Sequence, residues 1–326
     1  MSVFFRHRIV VILSISIIIG SVTAWYAWYL GYWAPLTVRV GYLTADIHHL
    51  ALFIAREKGW YLGTGIRFEF KEFPNGPTEM LAFAAGELDI GYLGIVPAML
   101  HKVNMKVNIT VVAAANTEGS ALVVNPKKIA SPKDLKGKMV ATPGAGTVQD
   151  YLLSLIESNH NVAVERMFIT PPAGMEPALQ RGDVDGFIAW EPFPARSVYN
   201  GIGKILLTSH DVWPNHPCCV VVASSQFLKD HPDLVKTIVN IHVGATKFIS
   251  ENQDEAMSIA AKYTGQEKAV VKSASERVTF DHYPNKDRIK AVLLYLIEGG
   301  KIPKENVPKN IDGFLDGFIN TKYIGA

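Results

Sequence analysis

Cysteine and surplus charge are both scarce in this chain. Its 326 residues include two cysteines, Cys218 and Cys219, and because these are adjacent they provide no disulfide framework. The 32 Lys and Arg residues nearly balance the 30 Asp and Glu residues, so the chain lacks the basic excess of nucleic-acid-binding proteins, and we expect no nucleic-acid partner. Aromatic and branched apolar residues occur throughout, which excludes a largely disordered chain. The length leaves room for about two domains.

Common catalytic and nucleotide-binding motifs are also missing. The sequence has no nucleophile elbow and no phosphate-binding loop that ends in Gly-Lys-Ser or Gly-Lys-Thr. The run Gly144, Ala145, Gly146 lacks the third glycine and the acidic partner of a dinucleotide-binding fingerprint. We therefore expect a protein that is not an enzyme, with no cofactor and no metal site.

The N-terminal segment contains no charged residue between Arg8 and Arg39. Its apolar run at 9–24 is followed by a Trp- and Tyr-rich cluster, and the uncharged stretch is long enough to cross a bilayer core of about 30 Å. Residues 1–35 are thus predicted to be a signal anchor that forms a transmembrane helix, or else a signal peptide cleaved near 22–24. In both cases the remainder lies on the extracytoplasmic face of the cell membrane.

Two segments about 100 residues apart share one pattern. Residues 85–94 read AGELDIGYLG, and residues 181–190 read RGDVDGFIAW. Each follows a helical stretch and supplies a glycine, which can end a helix in the left-handed conformation. An acid, an apolar residue, an Asp, a short apolar strand and a loop follow in each copy. This repetition predicts two similar α/β lobes whose strand-end loops face a shared cleft, since such sheets bind ligands at the carboxyl ends of their strands.

The order of predicted elements also indicates where the lobes divide. Strand patterns end shortly before the C-terminal third, and helical patterns follow. We therefore assign residues 36–121 and 225–326 to lobe I and residues 122–224 to lobe II. The chain would cross between the lobes near Ala121 and near Ser224.

Several short segments together resemble a known protein family. The chain is similar to the solute-binding proteins of ABC importers for nitrate, sulfonates and taurine, together with the thiamine-pyrimidine binders. Each segment alone is weakly specific, but their order and spacing cover most of residues 38–230. The matching segments are VRVGY at 38–42, AREKGWY at 55–61, GELDIG at 86–91, DLKGK at 134–138, GAGT at 144–147, GDVDG at 182–186 and WEP at 190–192.

This resemblance implies a two-lobed α/β fold of the type II periplasmic-binding-protein class. Its lobes would close on a small organic solute, such as a sulfonate, taurine or nitrate, by a hinge motion that the importer's permease and ATPase subunits sense. We expect the subunit to be a monomer. The alternatives are a protein that binds thiamine-pyrimidine precursors, an enzyme like the fungal thiamine-pyrimidine synthases, and an extracytoplasmic sensor domain.

The loops at strand ends supply the candidate ligand contacts. Trp190 offers a flat apolar wall, and Glu191 can accept hydrogen bonds from amino groups. Gly94 would let a ligand approach the backbone, and Thr147 opens a helix whose free amides can hold an anionic or polar group. The full predicted set is His48, His49, Asn75, Gly76, Gly94, Ile95, Thr117, Glu118, Thr147, Trp190, Glu191, Trp213 and His216.

These loops contain acids but no Lys or Arg. Their acidic residues are Asp46, Glu118, Glu176 and Glu191. A bare inorganic anion would therefore rely on helix N-termini and histidines alone. This composition favours a zwitterionic, aminated or heterocyclic solute.

A metal site is the alternative for one segment. His216, Pro217, Cys218 and Cys219 faintly resemble the cysteine-rich loop of the fungal synthases. An iron or zinc site needs about four ligands, which His210, His216 and the two cysteines could supply. The other interpretation, which we favour, is that the cysteines are small buried residues at the start of an apolar strand.

Overall fold

The computed structural model describes residues 19–26, 28, 36–62 and 64–325. Most of the predicted signal anchor or signal peptide, residues 1–35, lies outside the described residues, although 19–26 are helical. Within the described ranges, no helix combines the length and apolar character needed to cross a bilayer.

Strands and helices alternate along most of the chain. The strands are β1 (Thr37–Leu43), β2 (Arg67–Phe73), β3 (Ile90–Gly94), β4 (Ile109–Glu118), β5 (Ser120–Val124), β6 (Met139–Thr142), β7 (Glu165–Phe168), β8 (Gly186–Trp190), β9 (Lys204–Thr208), β10 (Pro217–Ser224) and β11 (Val278–Phe280). The helices are α1 (Leu50–Glu57), α2 (Gly76–Ala84), α3 (Ile95–Asn104), α4 (Val148–His160), α5 (Met175–Arg181), α6 (Phe193–Tyr199), α7 (Ser209–Val212), α8 (Ser225–Asp230), α9 (Pro232–Glu251), α10 (Gln253–Thr264), α11 (Lys268–Ser275), α12 (Lys286–Glu298) and α13 (Ile311–Phe318).

These strands form two sheets, one in each lobe. The sheet of lobe I has the order β11-β4-β10-β3-β1-β2, and that of lobe II has the order β7-β6-β8-β5-β9. In lobe I, β1 runs parallel to β2 and β3, whereas β10 runs antiparallel to β3 and β4. In lobe II, β6 runs parallel to β7 and β8, and β5 runs antiparallel to β8 and β9. The predicted two-lobed α/β architecture is therefore confirmed.

The repeated pattern occupies equivalent positions in the two sheets. Asp89 precedes β3, donates its backbone N–H to the Arg39 carbonyl (2.9 Å) and accepts the Arg39 backbone N–H at Oδ2 (2.8 Å). Asp185 precedes β8 and makes the same pair of contacts with Met139, at 2.8 and 3.1 Å. Each Asp thus fixes the start of its strand against the neighbouring parallel strand, which gives the repeat a structural role.

Strand β10 lies in lobe I, which corrects the predicted boundary after Ser224. It pairs in register with β3 and β4, for example through Val220 opposite Leu93. The chain enters lobe II at Gly119, close to the predicted crossing at Ala121, and returns before Pro217 rather than after Ser224. A continuously buried apolar strand fits the middle of either sheet, so its pattern could not identify its lobe.

The C-terminal helices pack back on lobe I, as the order of elements predicts. Helices α9 and α10 lie against α1, where the rings of Phe53 and Tyr263 stack with centroids 4.9 Å apart. Helix α12 covers α3 on the other side. Both faces of the lobe I sheet are therefore covered, and the loops at the strand ends remain to face lobe II.

Candidate functional site

The two lobes enclose a small cavity at the ends of β1, β3, β6 and β8. Its volume is about 10 Å³, roughly the space that one water molecule needs. No Lys or Arg lines it within the described part of the chain. The lining residues are Leu43, Asp46, Gly76, Gly94, Pro97, Cys218 and Cys219 from lobe I, and Thr147, Val148, Gln149 and Trp190 from lobe II.

Direct contacts hold the lobes together around this cavity. The Asn75 side-chain amide donates to the Pro143 carbonyl at 2.8 Å, and the Ile47 backbone N–H donates to the Glu191 carbonyl at 3.2 Å. A Cβ on Gly94 would lie 2.7 Å from the Val148 Cγ2 atom. Glycine is therefore required at residue 94 for helix α4 of lobe II to approach this closely.

Glu191 forms an ion pair across the lobe interface. Its Oε1 atom accepts from Nε of Arg277 in lobe I at 2.5 Å, and its Oε2 atom accepts from the Ala195 backbone N–H at 3.0 Å. Burial raises the pKa of Glu191, and Arg277 opposes that rise. With both oxygens occupied and no position in the cavity lining, Glu191 acts here as a clamp between the lobes.

Trp190 forms one wall of the cavity. The side chain is fully buried, and its ring meets Phe193 edge-on with centroids 6.0 Å apart. Its indole Nε1–H has no hydrogen-bond acceptor among the described residues. A buried unpaired donor costs free energy, so this N–H is free to donate to a bound polar molecule.

Thr147 and Asn75 cap the helices whose first turns face the cavity. Thr147 Oγ1 accepts from the Asp150 backbone N–H at 3.1 Å and donates to the Gly144 carbonyl at 2.8 Å. Asn75 Oδ1 accepts from the Thr78 backbone N–H at 3.0 Å. Both side chains are thus occupied by capping. The groups presented to the cavity are the first turn of α4 and the backbone at Gly76.

The turn after β1 places Asp46 and His48 beside the cavity. The His48 backbone N–H donates to Asp46 Oδ1 at 2.9 Å, and its ring Nε2–H donates to the Gly119 carbonyl at 2.9 Å. Burial raises the pKa of Asp46 to about 7. Burial alone would lower the pKa of His48, but the Asp46 carboxylate, Cys218 and the hydrogen bond to Gly119 together outweigh burial and raise this pKa to about 9.

His49 is fully buried beneath the same turn. Its Nδ1 atom accepts the Leu43 backbone N–H at 3.2 Å, and its Nε2 atom lies 3.7 Å from Asp46 Oδ2. Burial lowers the pKa of His49 well below its ordinary value. The ring is therefore a neutral part of the lobe I core and does not line the cavity.

Cys218 and Cys219 are buried cavity residues at the start of β10. Their Sγ atoms lie 3.7 and 3.6 Å from His48 Nδ1. The Cys219 thiol, through a hydrogen bond, and the His48 imidazole hold the pKa of Cys218 well below its ordinary value despite burial. The structure thus groups both cysteines with His48 rather than with His210, which pairs with Glu118 at 2.7 Å.

The other predicted contacts lie outside the cavity lining. Glu118 Oε1 accepts from the Asn215 backbone N–H at 2.6 Å and so ties the two lobe crossings together. Trp213 stacks on His216 with centroids 5.7 Å apart. Thr117 pairs within the lobe I sheet, and Ile95 belongs to the lobe I core.

Several lining residues were missing from the sequence prediction. They are Leu43, Asp46, Pro97, Val148, Gln149, Cys218 and Cys219. The sequence singles out Asp46 only for its charge and the cysteines only as an alternative metal site. Because β10 pairs with β3 and β4 in lobe I, the cysteines lie beside His48, a contact that the predicted place of β10 in lobe II does not allow.

Comparison with known proteins identifies the family. Residues 34–264 match the NMT1-like family. The taurine-binding periplasmic protein of Escherichia coli is 31% identical over 196 residues, which cover 59% of this chain and 60% of that protein. The chain thus aligns with less than two thirds of this relative's length.

Solved structures share the fold. The ligand-binding component of an ABC-type import system from Staphylococcus aureus, solved with zinc bound, superimposes with a TM-score of 0.77 at 21% identity, covering 88% of this chain and 97% of that one. The alkanesulfonate-binding protein of Xanthomonas axonopodis pv. citri, bound to MOPS, gives a TM-score of 0.76 at 18% identity, with 88% and 99% covered. The family match, which spans most of both lobes, shows that this chain belongs to the NMT1-like family.

Proposed function

We propose that this chain is the extracytoplasmic solute-binding subunit of an ABC importer. Its lobes would close on a small organic solute and present the closed form to permease and ATPase subunits. The observation that carries this proposal is the cavity enclosed by both lobes at their strand ends. A solute that touches both lobes only in the closed form shifts the population towards closure, which a permease can sense.

The charges around the cavity favour a zwitterionic solute over a bare anion. No Lys or Arg lines the cavity within the described residues, and the nearby Arg277 is paired with Glu191. The Asp46 carboxylate could bind an ammonium group. A sulfonate could accept hydrogen bonds from the first turn of α4 and from the Trp190 indole. Taurine, which the Escherichia coli relative is named for binding, carries both groups.

Solute binding would require the lobes to separate. The enclosed volume of about 10 Å³ is far smaller than a taurine molecule. A solute would therefore enter when the interlobe contacts at Asn75 and Glu191 are broken, and the bound form would be less tightly closed than this structure. The hinge would lie at the crossings, near Gly119 and just before Pro217.

We also infer that residues 1–35 tether a monomeric subunit to the outer face of the membrane, as an uncleaved anchor rather than a cleaved signal peptide. The basic residues before the apolar run and the aromatic residues after it support this inference. N-terminal sequencing of the mature protein tests it. A new N-terminus near residue 24 would show that the segment is a cleaved signal peptide and not an anchor.

A thermal-shift screen of the full-length chain tests the proposed function. Taurine, alkanesulfonates, nitrate, bicarbonate and pyrimidine precursors would each be added at increasing concentration. A solute that binds the folded state at about 100 times its Kd stabilises it by about 2.7 kcal/mol. We expect taurine or another aminosulfonate to raise the melting temperature more than nitrate does. A response to nitrate or to pyrimidines alone would contradict the proposed solute class.

Trp190→Phe provides a matched variant for this screen. Phenylalanine keeps an aromatic wall but removes the indole N–H, so affinity for a sulfonate should fall by about tenfold or more, because a hydrogen bond to a charged group contributes about 1.5–3 kcal/mol. Val198→Ala alters a partly exposed apolar side chain in lobe II and should leave affinity unchanged. Equal affinity of Trp190→Phe and the unmodified chain would remove Trp190 from the site.

A further inference from the structure

We propose that Asp46, His48, Cys218 and Cys219 form a binding site for a thiophilic divalent cation such as Zn²⁺. All four residues belong to lobe I and are buried, with at most 3% of any residue exposed. Three of them, Asp46 and both cysteines, line the interlobe cavity. The site would therefore lie on the lobe I side of the cleft and would not require lobe II as a ligand. It shares Asp46 with the proposed solute contacts, but its existence does not depend on the proposed importer function.

The distances from His48 Nδ1 to three neighbouring donor atoms are close to those expected for tetrahedral coordination. Zinc bonds of about 2.3 Å to sulfur and about 2.0 Å to nitrogen or oxygen place N and S about 3.5 Å apart and N and O about 3.3 Å apart. The His48 Nδ1 atom lies 3.6 and 3.7 Å from the two sulfurs and 3.2 Å from Asp46 Oδ1. The donor atoms of His48 and both cysteines all lie within 4.8 Å of one another.

A backbone hydrogen bond holds the His48 ring with Nδ1 facing the other donor atoms. The Gly119 carbonyl can only accept, so Nε2 keeps its proton. Metal-binding histidines commonly hold their second nitrogen in this way. A metal ion would displace any proton on Nδ1 and bind the lone pair there. His49 also carries its proton on Nε2, but the Leu43 backbone N–H already occupies the lone pair of its Nδ1 atom. The neutral His49 therefore has no free lone pair and is not a ligand.

A β-bulge explains how two adjacent cysteines reach one histidine. Successive side chains of a regular strand point to opposite faces. Between β10 and β4, however, the register shifts on both sides of Cys219. A bulge bends the strand and redirects a side chain, and such bulges are common beside functional sites. The irregularity brings both Sγ atoms to the His48 ring.

The second carboxylate oxygen of Asp46 provides an independent indication of a cation. Asp46 Oδ2 has no hydrogen-bond partner among the described residues, although Asp46 is only 1% exposed. A buried carboxylate needs a compensating charge or hydrogen bonds. The adjoining cavity, of about 10 Å³, is large enough for a single ion. A divalent cation bound to Asp46 and a cysteine thiolate would supply this compensation.

Metal titration of the full-length chain tests the site directly. The protein would be reduced, stripped with a chelator and titrated with Zn²⁺ or Co²⁺. We expect one equivalent to bind, and the X-ray absorption spectrum of the zinc form to show two sulfur and two nitrogen or oxygen neighbours. Zinc should also protect both thiols from alkylation. Failure to bind one equivalent, or a spectrum without sulfur ligands, would overturn the proposal.

The neighbouring histidines provide a matched pair of variants. His48→Gln removes a ligand and should weaken Co²⁺ binding by about 100-fold or more, since even losing an outer hydrogen-bond partner costs about 10–100-fold. His49→Gln alters an equally buried imidazole and should cost less than about tenfold. Cys218→Ser and Cys219→Ser should each lower the thiolate-to-cobalt charge-transfer absorption by about half.

Circular dichroism would verify that each variant folds. If a variant does not fold, the X-ray absorption spectrum of the unmodified protein still tests the site. Equal effects of His48→Gln and His49→Gln in folded proteins would refute the assigned ligand set. A negative metal titration would leave the solute screen untouched, so failure of this site and failure of the proposed function are distinguishable.

Discussion

The buried carboxyl group of Glu79 limits the size of the residues packed against it. Glu79 lies on helix α2 and is completely buried, and burial raises its pKa well above the ordinary value. Burial therefore favours the uncharged form of this group. A Cβ on Gly41 or on Gly91 would lie 2.5 Å from its Oε1 atom. Close packing around this buried acid thus explains the glycines in β1 and β3.

Replacing one of these glycines tests that packing. Gly91→Ala also brings its Cβ to 2.5 Å from a Phe83 ring carbon, so we expect a loss of about 1–3 kcal/mol in the free energy of unfolding, as is typical of overpacked cores. Gly317→Ala in α13 meets no atom within 4 Å and should be neutral or stabilising by up to about 1 kcal/mol. Denaturant titration measures both. Equal stabilities would mean that Glu79 and Phe83 move aside freely.

His242 gives a prediction about pH. Its Nε2–H donates to the Ala114 carbonyl at 2.7 Å, and Nδ1 faces the Tyr92 hydroxyl at 3.3 Å. Burial lowers the pKa of His242 to about 4, with a further contribution from His282. The folded state therefore binds this proton less readily than the unfolded state does. The resulting stabilisation is complete above about pH 6.5 and is lost as pH falls through about 4.

His242→Gln isolates this effect from other titrating groups. The unfolding free energy of the unmodified chain minus that of the variant should decrease by up to about 3 kcal/mol between pH 7 and pH 4, because one pKa unit corresponds to about 1.4 kcal/mol. Above pH 7 the difference should stay constant. A difference that is flat over the whole range would mean that His242 titrates normally in the folded chain.

At the scale of elements, helix α4 is the helix of lobe II whose cap and first turn line the cavity. The Thr147 hydroxyl caps this helix through the Asp150 backbone N–H. Thr147→Ala should therefore destabilise the protein by about 1 kcal/mol. Thr147→Ser keeps the hydroxyl and should recover most of this loss. Denaturant unfolding of the three proteins measures the cap, and an alanine variant as stable as the serine variant would show that the bond contributes nothing.

Much of the fold is predictable from local patterns, but the lobe of β10 is not. Gly86 and Gly182 both adopt positive φ, of 72° and 82°, as helix-ending glycines do, and the two Asp residues after them start equivalent strands. Such signals lie within a few residues of each other. The placement of β10 depends instead on pairing with strands more than 100 residues away, which its uniformly apolar sequence does not encode locally.

The candidate site was predictable to a similar extent. Gly76, Gly94, Thr147 and Trp190 line the cavity because they follow or cap elements that were placed correctly. The sequence predicts that Glu191 contacts the solute directly. Its role depends on Arg277, whose approach to lobe II follows from the packing of the C-terminal helices and has no local sequence signal.

At the scale of the whole molecule, the Glu191–Arg277 ion pair stabilises the closed arrangement of the two lobes. Glu191 is fully buried, whereas the side chain of Arg277 is 19% exposed. Removing one partner of a buried pair costs about 3–5 kcal/mol because the other charge stays desolvated. Separation of the lobes would hydrate both groups. Removing either charge should therefore destabilise the closed form more than the open form.

Glu191→Gln should consequently shift the chain towards an open arrangement. Each loss of about 1.4 kcal/mol changes the ratio of closed to open molecules about tenfold, so small-angle X-ray scattering should show a larger radius of gyration than for the unmodified chain. Lys58→Gln removes a charge that pairs with Glu255 within lobe I, at 2.6 Å, and should leave the radius unchanged. If Glu191→Gln also left it unchanged, the interlobe backbone and Asn75 contacts would have to hold the lobes closed without this ion pair.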